Sequence, residues 1–455
     1  MKKIRSLSLL ARAPKAPLAC CLPFGLVAAT LMMSAPANAA QPRCPPSQRW
    51  NPNMQMCMAQ AAPEATAVQP EPTQGPVMPA PDAPPASNPP AASGMIMADA
   101  RKDASPFMLQ INQFAVFSHT TGPRGQSRVT GPGSWMLMYD RALTPQNHLS
   151  VSLMASPEQL TVGDKGTPQL LQTENIDNMH AHDTIMALEF RDVISIGSNG
   201  QQLTFLFAPR GAAAIGPVPF MHRQSAEGNP DAPLGHGLQD GFHDASTVLG
   251  VQYHFARTTI EATVFSGAAV SWPLPLHRPD SYAFRITQDI NNHIKVGASY
   301  GDVLSRDDAG AETHGHFKSV WLATSHQFGS GKLQSSLVWA TEREGHGITQ
   351  TSLLAEGVFQ RGPDALFGRA EILQISPEQL DVRASGTSTD PQWVKALTVG
   401  YERTLVQQYG LSLRLGGSYT RDFIPAAFKF DYGSDPGGFK LFLRVKFATG
   451  GSHEM

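Results

Sequence analysis

Two stretches of this 455-residue chain gather side chains able to hold a metal ion. The first, NMHAHDTIM at 178–186, carries Met179, His180, His182, Asp183 and Met186. The second, PRGAAAIGPVPFMHRQSAEGNPDAPLGHGLQDGFHDA at 209–245, carries His222, Arg223, Asp231, His236, Asp240, His243 and Asp244. Imidazole nitrogen suits zinc, copper, nickel and iron, and the nearby thioethers tilt the set toward copper. The candidate ligands are therefore His182, Asp183, His222, His236, Asp240 and His243, and the candidate ions are copper and zinc. The spacing matches no recognised zinc motif. A plainer reading has the same His and Asp residues hydrogen-bonding the second stretch to its surroundings.

A third cluster lies near the N-terminus, where CPPSQRWNPNMQMC spans 44–57 and Met58 follows. In an oxidising compartment Cys44 and Cys57 are expected to form one disulfide closing a small loop. Met54, Met56 and Met58 also make this loop a candidate soft capture site for Cu(I), although a disulfide-stapled knot around Trp50 with incidental methionines is the favoured reading. No catalytic group stands out. A hydrolase at a membrane boundary needs Ser and His with an orienting third group, and Ser299, Ser325 and His326 sit in no such motif. The expectation is a protein that is not an enzyme.

The elements that must carry these residues are strands. The run GFKLFLRVKF at 438–447 puts Phe439, Leu441, Leu443, Val445 and Phe447 on one parity and Lys440, Arg444 and Lys446 on the other, with Phe442 the lone apolar member there. Successive strand side chains point to opposite faces, so one face is apolar and the other basic. The rhythm recurs: Leu249, Val251, Tyr253 and Phe255 alternate with Gln252 and His254, and Leu366, Ala370 and Ile372 with Arg369 and Glu371. Aromatics fall near run ends, at Tyr253, Tyr282, Tyr300, Trp339, Tyr401 and Tyr419. About 16 such runs, each long enough to cross a bilayer at a tilt, predict an all-β, transmembrane, antiparallel up-and-down barrel, with 14 strands as the nearest rival. The mean hydropathy of −0.20 agrees, because a barrel's inward positions are polar. A large secreted soluble β protein is the alternative.

The chain opens with Lys2, Lys3, Arg5, Arg12 and Lys15, then an apolar stretch, then Ala37-Asn38-Ala39. This is the pattern of a signal peptide over 1–39. A Cys/Met loop at 40–60 and a Pro/Ala-rich disordered linker at 61–102 follow, the latter too poor in apolar residues to form a core. The barrel is predicted over 103–447 and a short tail over 448–455. The 35 basic and 37 acidic residues nearly cancel, which gives no reason to expect a nucleic-acid partner. The expected partners are outer-membrane lipid, a small solute or metal ion, and a periplasmic partner for the tether.

The stretch at 209–245 holds five prolines and cannot be strand throughout. It also holds Phe220, Met221, Leu234, Leu238 and Phe242, which a disordered loop does not need. An ordered loop packed into or over the lumen is expected. Its motifs GPVPFMHR (216–223), NPDAPLGH (229–236) and DGFH (240–243), with MHAHD upstream, resemble an uncharacterised family of Gram-negative outer-membrane β-barrel proteins. TIEATVFSG (259–267), ALFGRAEILQ (365–374), ALTVGYERTL (396–405) and FKLFLRVKF (439–447) extend the resemblance over most of the predicted barrel. Gly237 stands where the family has a second His, and Ala181 where Pro is usual. The resemblance implies a barrel, and some relatives look linked to metal resistance. Three functions follow as expectations: a channel or transport-related barrel with the 209–245 loop as constriction, a copper- or zinc-binding outer-membrane protein, and a structural or partner-binding barrel. Arg285, Lys295, Arg369, Glu371 and Arg414 are the expected lumen residues of the first.

Overall fold

The computed structural model describes residues 48–51, 56–59, 105–197, 199–267, 276–306, 312–345, 347–382 and 390–449. The predicted signal peptide, the Pro/Ala-rich linker and Cys44 lie outside them. Near the N-terminus, strands Gln48–Asn51 and Met56–Ala59 pair antiparallel with Trp50 opposite Cys57.

Period-two alternation over 9 to 17 residues makes each main segment a strand, and the strands close on one another. The barrel strands are β1 (Phe107–Thr120), β2 (Ser127–Thr130 continuing as Gly133–Thr144), β3 (Asn147–Ala155), β4 (Ile185–Ile196), β5 (Gln201–Gly211), β6 (Ala245–Phe255), β7 (Thr258–Ser266) and β8 (Ser281–Asp289). They continue with β9 (Ile294–Arg306), β10 (Glu312–Phe328), β11 (Gly331–Glu344), β12 (Thr349–Arg361), β13 (Asp364–Ile375), β14 (Gln392–Gln408), β15 (Leu411–Phe423) and β16 (Gly437–Ala448). Every neighbour is antiparallel, and β16 closes the ring on β1, with Leu441 opposite Phe117 and Phe447 opposite Ile111. The count is 16, so the 14-strand alternative is set aside. Pro132 interrupts β2, whose two pieces each pair with β1.

Connections are short at one end and mostly longer at the other. Two- to four-residue turns at 145–146, 197–200, 256–257, 290–293, 329–330, 362–363 and 409–410 mark one end. At the other end, long segments such as 156–184, 212–244 and 424–436 join the strands. β1 begins and β16 ends at the short-turn end.

The two faces of the wall differ as the alternation demands. Phe205, Leu249, Ile260, Phe284, Leu337, Leu397 and Leu441 are exposed on the outside, Leu441 at 59%. Tyr282, Trp393, Tyr419 and Phe439 stand toward the long-loop end of this apolar face, and Phe107, Phe328 and Tyr401 toward the short-turn end. Inside, Glu261, Arg285, Glu356, Arg369, Glu371, Glu402, Arg414, Lys440 and Arg444 are buried. An exposed face of large apolar residues over the whole circumference is stable only against lipid, and ring closure leaves no unpaired strand edge in that lipid.

Candidate functional site

The chain is an outer-membrane β-barrel, and the residues with chemical potential lie on the two longest loops at its long-loop end. Residues 212–244 leave β5 and return to β6 through a narrow neck. Gly211 pairs with Ala245, and the Ala213 N–H donates to the Phe242 carbonyl at 2.9 Å. At Gly216 (φ 74°) the two limbs touch so closely that a Cβ would sit 1.7 Å from the Gln239 carbonyl oxygen. Only glycine fits there. Beyond the neck the loop meets inward-facing side chains of many strands. The Gly216 N–H donates to Ser299 Oγ on β9 at 2.8 Å, Ser225 Oγ to Ser336 Oγ on β11 at 2.7 Å, and the Leu234 N–H to Glu371 on β13 at 2.6 Å.

Buried ion pairs fix its front half. Arg223 lies between Asp240 on the loop (3.0 Å) and Glu356 on β12 (2.6 Å). Glu356 also takes Arg369 of β13 at 3.0 Å, and Arg369 donates to the Asp231 carbonyl at 2.8 Å. Asp231 pairs with Lys440 of β16, and Glu227 pairs with Lys446 and, at 3.4 Å, with Arg444. Burial opposes the charge on Glu227, but Lys446, Arg444 and Arg414 around it hold its carboxyl down at about 2.

The back half carries the histidines. A helical turn at His236–Gln239 places His236 and Asp240 four residues apart on one face, and the His236 Nδ1–H reaches Asp240 Oδ1 at 2.5 Å. One turn on, His243 Nδ1–H donates to the Asp240 carbonyl at 3.1 Å. His182 comes from the other loop, just before β4. Its Nδ1–H donates to Glu158 Oε2 at 2.8 Å, and its backbone N–H uses the same oxygen. Glu158 opens a helical turn behind Pro157 and is itself held by the Gly133 N–H at 2.9 Å. The three rings converge: His182 and His243 centroids are 5.6 Å apart, His236 and His243 5.1 Å. One ring nitrogen from each lies within 4.8 Å of the others, and all three residues are buried. The Nε2 atoms of His182 and His243 are buried without a hydrogen-bond partner. Burial disfavours a charge on His236, but Asp240 outweighs it and lifts the ring to about 9, whereas burial pushes His243 down to about 4.

Of the six sequence-expected ligands, the structure thus brings His182, His236 and His243 together. Asp240 stands directly behind two of them as hydrogen-bond acceptor. Asp183 is turned to Arg210 at 2.7 Å, and Arg210 spans to Asp244 at 2.7 Å. His222 stands apart, with Nε2 3.4 Å from Met154 Sδ, and burial lowers its pKa to about 4. The thioethers of the first stretch are used in packing: Met186 lies with Met154, Met136 and Met221, and Met179 with Phe220 and Ala232. Two carboxylates at this end were missing from the sequence reading. Glu158, 24 residues before His182, is one, and no local pattern marks it. Glu174, 2.7 Å from His180, is the other, and it too sits in no motif. A cleft of about 330 Å³, lined among others by His180, His182, Asp183, Arg210 and Asp244, opens beside the rings.

The expected lumen residues Arg285, Arg369, Glu371 and Arg414 are buried inside the barrel, Arg285 paired with Glu261 at 2.7 Å. Lys295 sits at the short-turn end and pairs with Asp289 at 3.4 Å.

No protein-family model matches the chain, and no curated protein matches it in sequence. Among solved structures it is similar to the outer membrane channel DcaP of Acinetobacter baumannii (10% identity, 75% of this chain and 96% of that one, TM-score 0.48). It is also similar to an anion-selective porin from Comamonas acidovorans (11%, 75% and 98%, 0.47) and to Salmonella typhi OmpF in complex with daunomycin (9%, 75% and 97%, 0.47).

Proposed function

We propose that the barrel is a solute channel whose bore is narrowed by residues 212–244 folded inward. The observation that carries this reading is the partnership of the loop with inward-facing groups of β9, β11, β12, β13 and β16, which stand around the ring. A 16-strand ring is wide enough for an aqueous path when its bore is not filled by side chains. Here the wall is polar and charged, and the segment that crosses it is a long ordered loop of the kind that carries function on a rigid scaffold. Wall charges of both signs meet the loop, Arg369, Arg414, Lys440 and Arg444 against Glu356, Glu371 and Glu402, so the intact channel is expected to discriminate weakly between cations and anions.

Planar-bilayer conductance of the full chain and of a version with residues 217–238 replaced by a short flexible link tests this. The expected result is small conductance for the first and a several-fold larger one for the second. A loop-deleted barrel that is folded, inserts and passes no current overturns the reading.

A further inference from the structure

We propose that His182, His236 and His243 bind a divalent transition-metal ion of the zinc class, which ties the inward loop 212–244 to the neighbouring loop 156–184.

Three features of the cluster point the same way. All donors are imidazole nitrogens, which select zinc-class ions over magnesium or calcium, and three histidines with an open fourth position form an established zinc geometry. Each ring is oriented from behind: His182 by Glu158, His236 by the Asp240 carboxylate and His243 by the Asp240 carbonyl. A carboxylate or carbonyl on the far nitrogen fixes the tautomer and raises the basicity of the near one, as metal-ligating histidines require. Finally, Nε2 of His182 and of His243 are buried with no partner. Such an atom is costly to bury unless something satisfies it, and one metal ion satisfies both.

The fit is close but not complete. Nitrogens bound tetrahedrally at 2.0–2.1 Å stand about 3.4 Å apart, so the rings must draw in by about 1 Å. His236 and His243 sit on the returning limb of the loop and His182 on a separate segment, so the movement is a small rotation of side chains already touching. The cleft beside His182 gives an ion a way in and leaves room for a water or anion as fourth ligand.

The ion would act as a staple. The front of the loop is fixed by Arg223, Asp231 and Glu227, whereas the back is joined to loop 156–184 through this cluster. The staple role rests on the channel reading above; the site itself does not.

The test uses the full mature chain, refolded in detergent and stripped with chelator, in a Cys44→Ser/Cys57→Ser background that removes the N-terminal thiols. Equilibrium dialysis against Zn²⁺ should give one ion per chain, and Co²⁺ should produce the visible absorption of a tetrahedral nitrogen site. His182→Ala and His243→Ala should each weaken Zn²⁺ binding at least about tenfold, with His222→Ala unchanged. Glu158→Gln keeps all three rings and provides a milder variant should the alanine forms fail to fold. No stoichiometric ion in the folded chain, or equal affinity in all these variants, overturns the site. Conductance with and without Zn²⁺ tests the staple: lower current with the ion supports it, and one bound ion with unchanged current overturns it. A chain that never conducts removes the channel reading, while dialysis still decides the site.

Discussion

The front and back of the inward loop both bury ionisable side chains and finish them differently. In front, between Arg223 and Asp231, each charge meets its complement on the wall, and Glu356 alone serves Arg223, Arg369 and Ser225. At the back, where His236 and His243 meet His182 of the neighbouring loop, every ring is anchored by its Nδ1, yet Nε2 of His182 and of His243 is buried with nothing to bond. Buried polar groups in folded proteins are nearly always satisfied. In front, Nη2 of Arg223 and of Arg369 also lacks a partner, but both guanidinium charges are neutralised by Glu356, and that network explains itself as architecture. An oriented cluster with idle acceptors is explained by a ligand.

The contrast can be broken most severely at its front. Arg223→Ala would break two buried ion pairs at once, leaving Glu356 to Arg369 alone and Asp240 to His236 alone, and the unfolding free energy in denaturant is expected to fall by about 3–5 kcal/mol. A loss under about 1 kcal/mol would mean that the loop is not part of the cooperative unit. At the back, Glu158→Gln should spare stability more and cost 10–100-fold in Zn²⁺ affinity, the usual price of a lost outer partner. Equal zinc affinity in Glu158→Gln and wild type would reduce the cluster to packing.

Acid titration acts again at the front and more gently. The Glu227 carboxyl is held at about 2 against an ordinary value near 4.5. A group lowered in this way contributes stability fully above the ordinary value and loses it as pH falls toward about 2. Conductance should therefore be steady from pH 7 to 5 and rise only in strong acid; a rise at pH 5 to 6 would place the controlling group elsewhere. The smallest effect belongs to His222→Ala, which removes a ring facing Met154 and should leave zinc binding as it was. A large loss there would enlarge the site beyond three rings.

The wall was far easier to read than the site. Lipid outside and polar groups inside impose a two-residue rhythm that needs no knowledge of partners, and in β16 Leu441 and Leu443 face out while Lys440 and Arg444 face in. The exceptions have local reasons. Phe442 faces inward because Phe114 and Phe367 receive it, at ring distances of 5.6 and 6.4 Å, and the same cluster blurs the alternation in β1. The inward loop was legible from five prolines interleaved with large apolar residues. Within the loop, composition named six candidate ligands, and it could not separate His236 from His222. That division depends on which limb turns toward loop 156–184, a contact between residues more than 50 positions apart. Glu158 was invisible for the same reason: nothing near it in sequence marks it as the partner of His182.

The neck at Gly216 has a mechanical consequence. Because its two limbs meet there and are paired again at Gly211 and Ala245, the inserted segment is a tied ring and not a strap slung between distant posts. A strap can sag by degrees, but a ring swings about its knot as one piece. A single methyl group added at residue 216 would cut the knot.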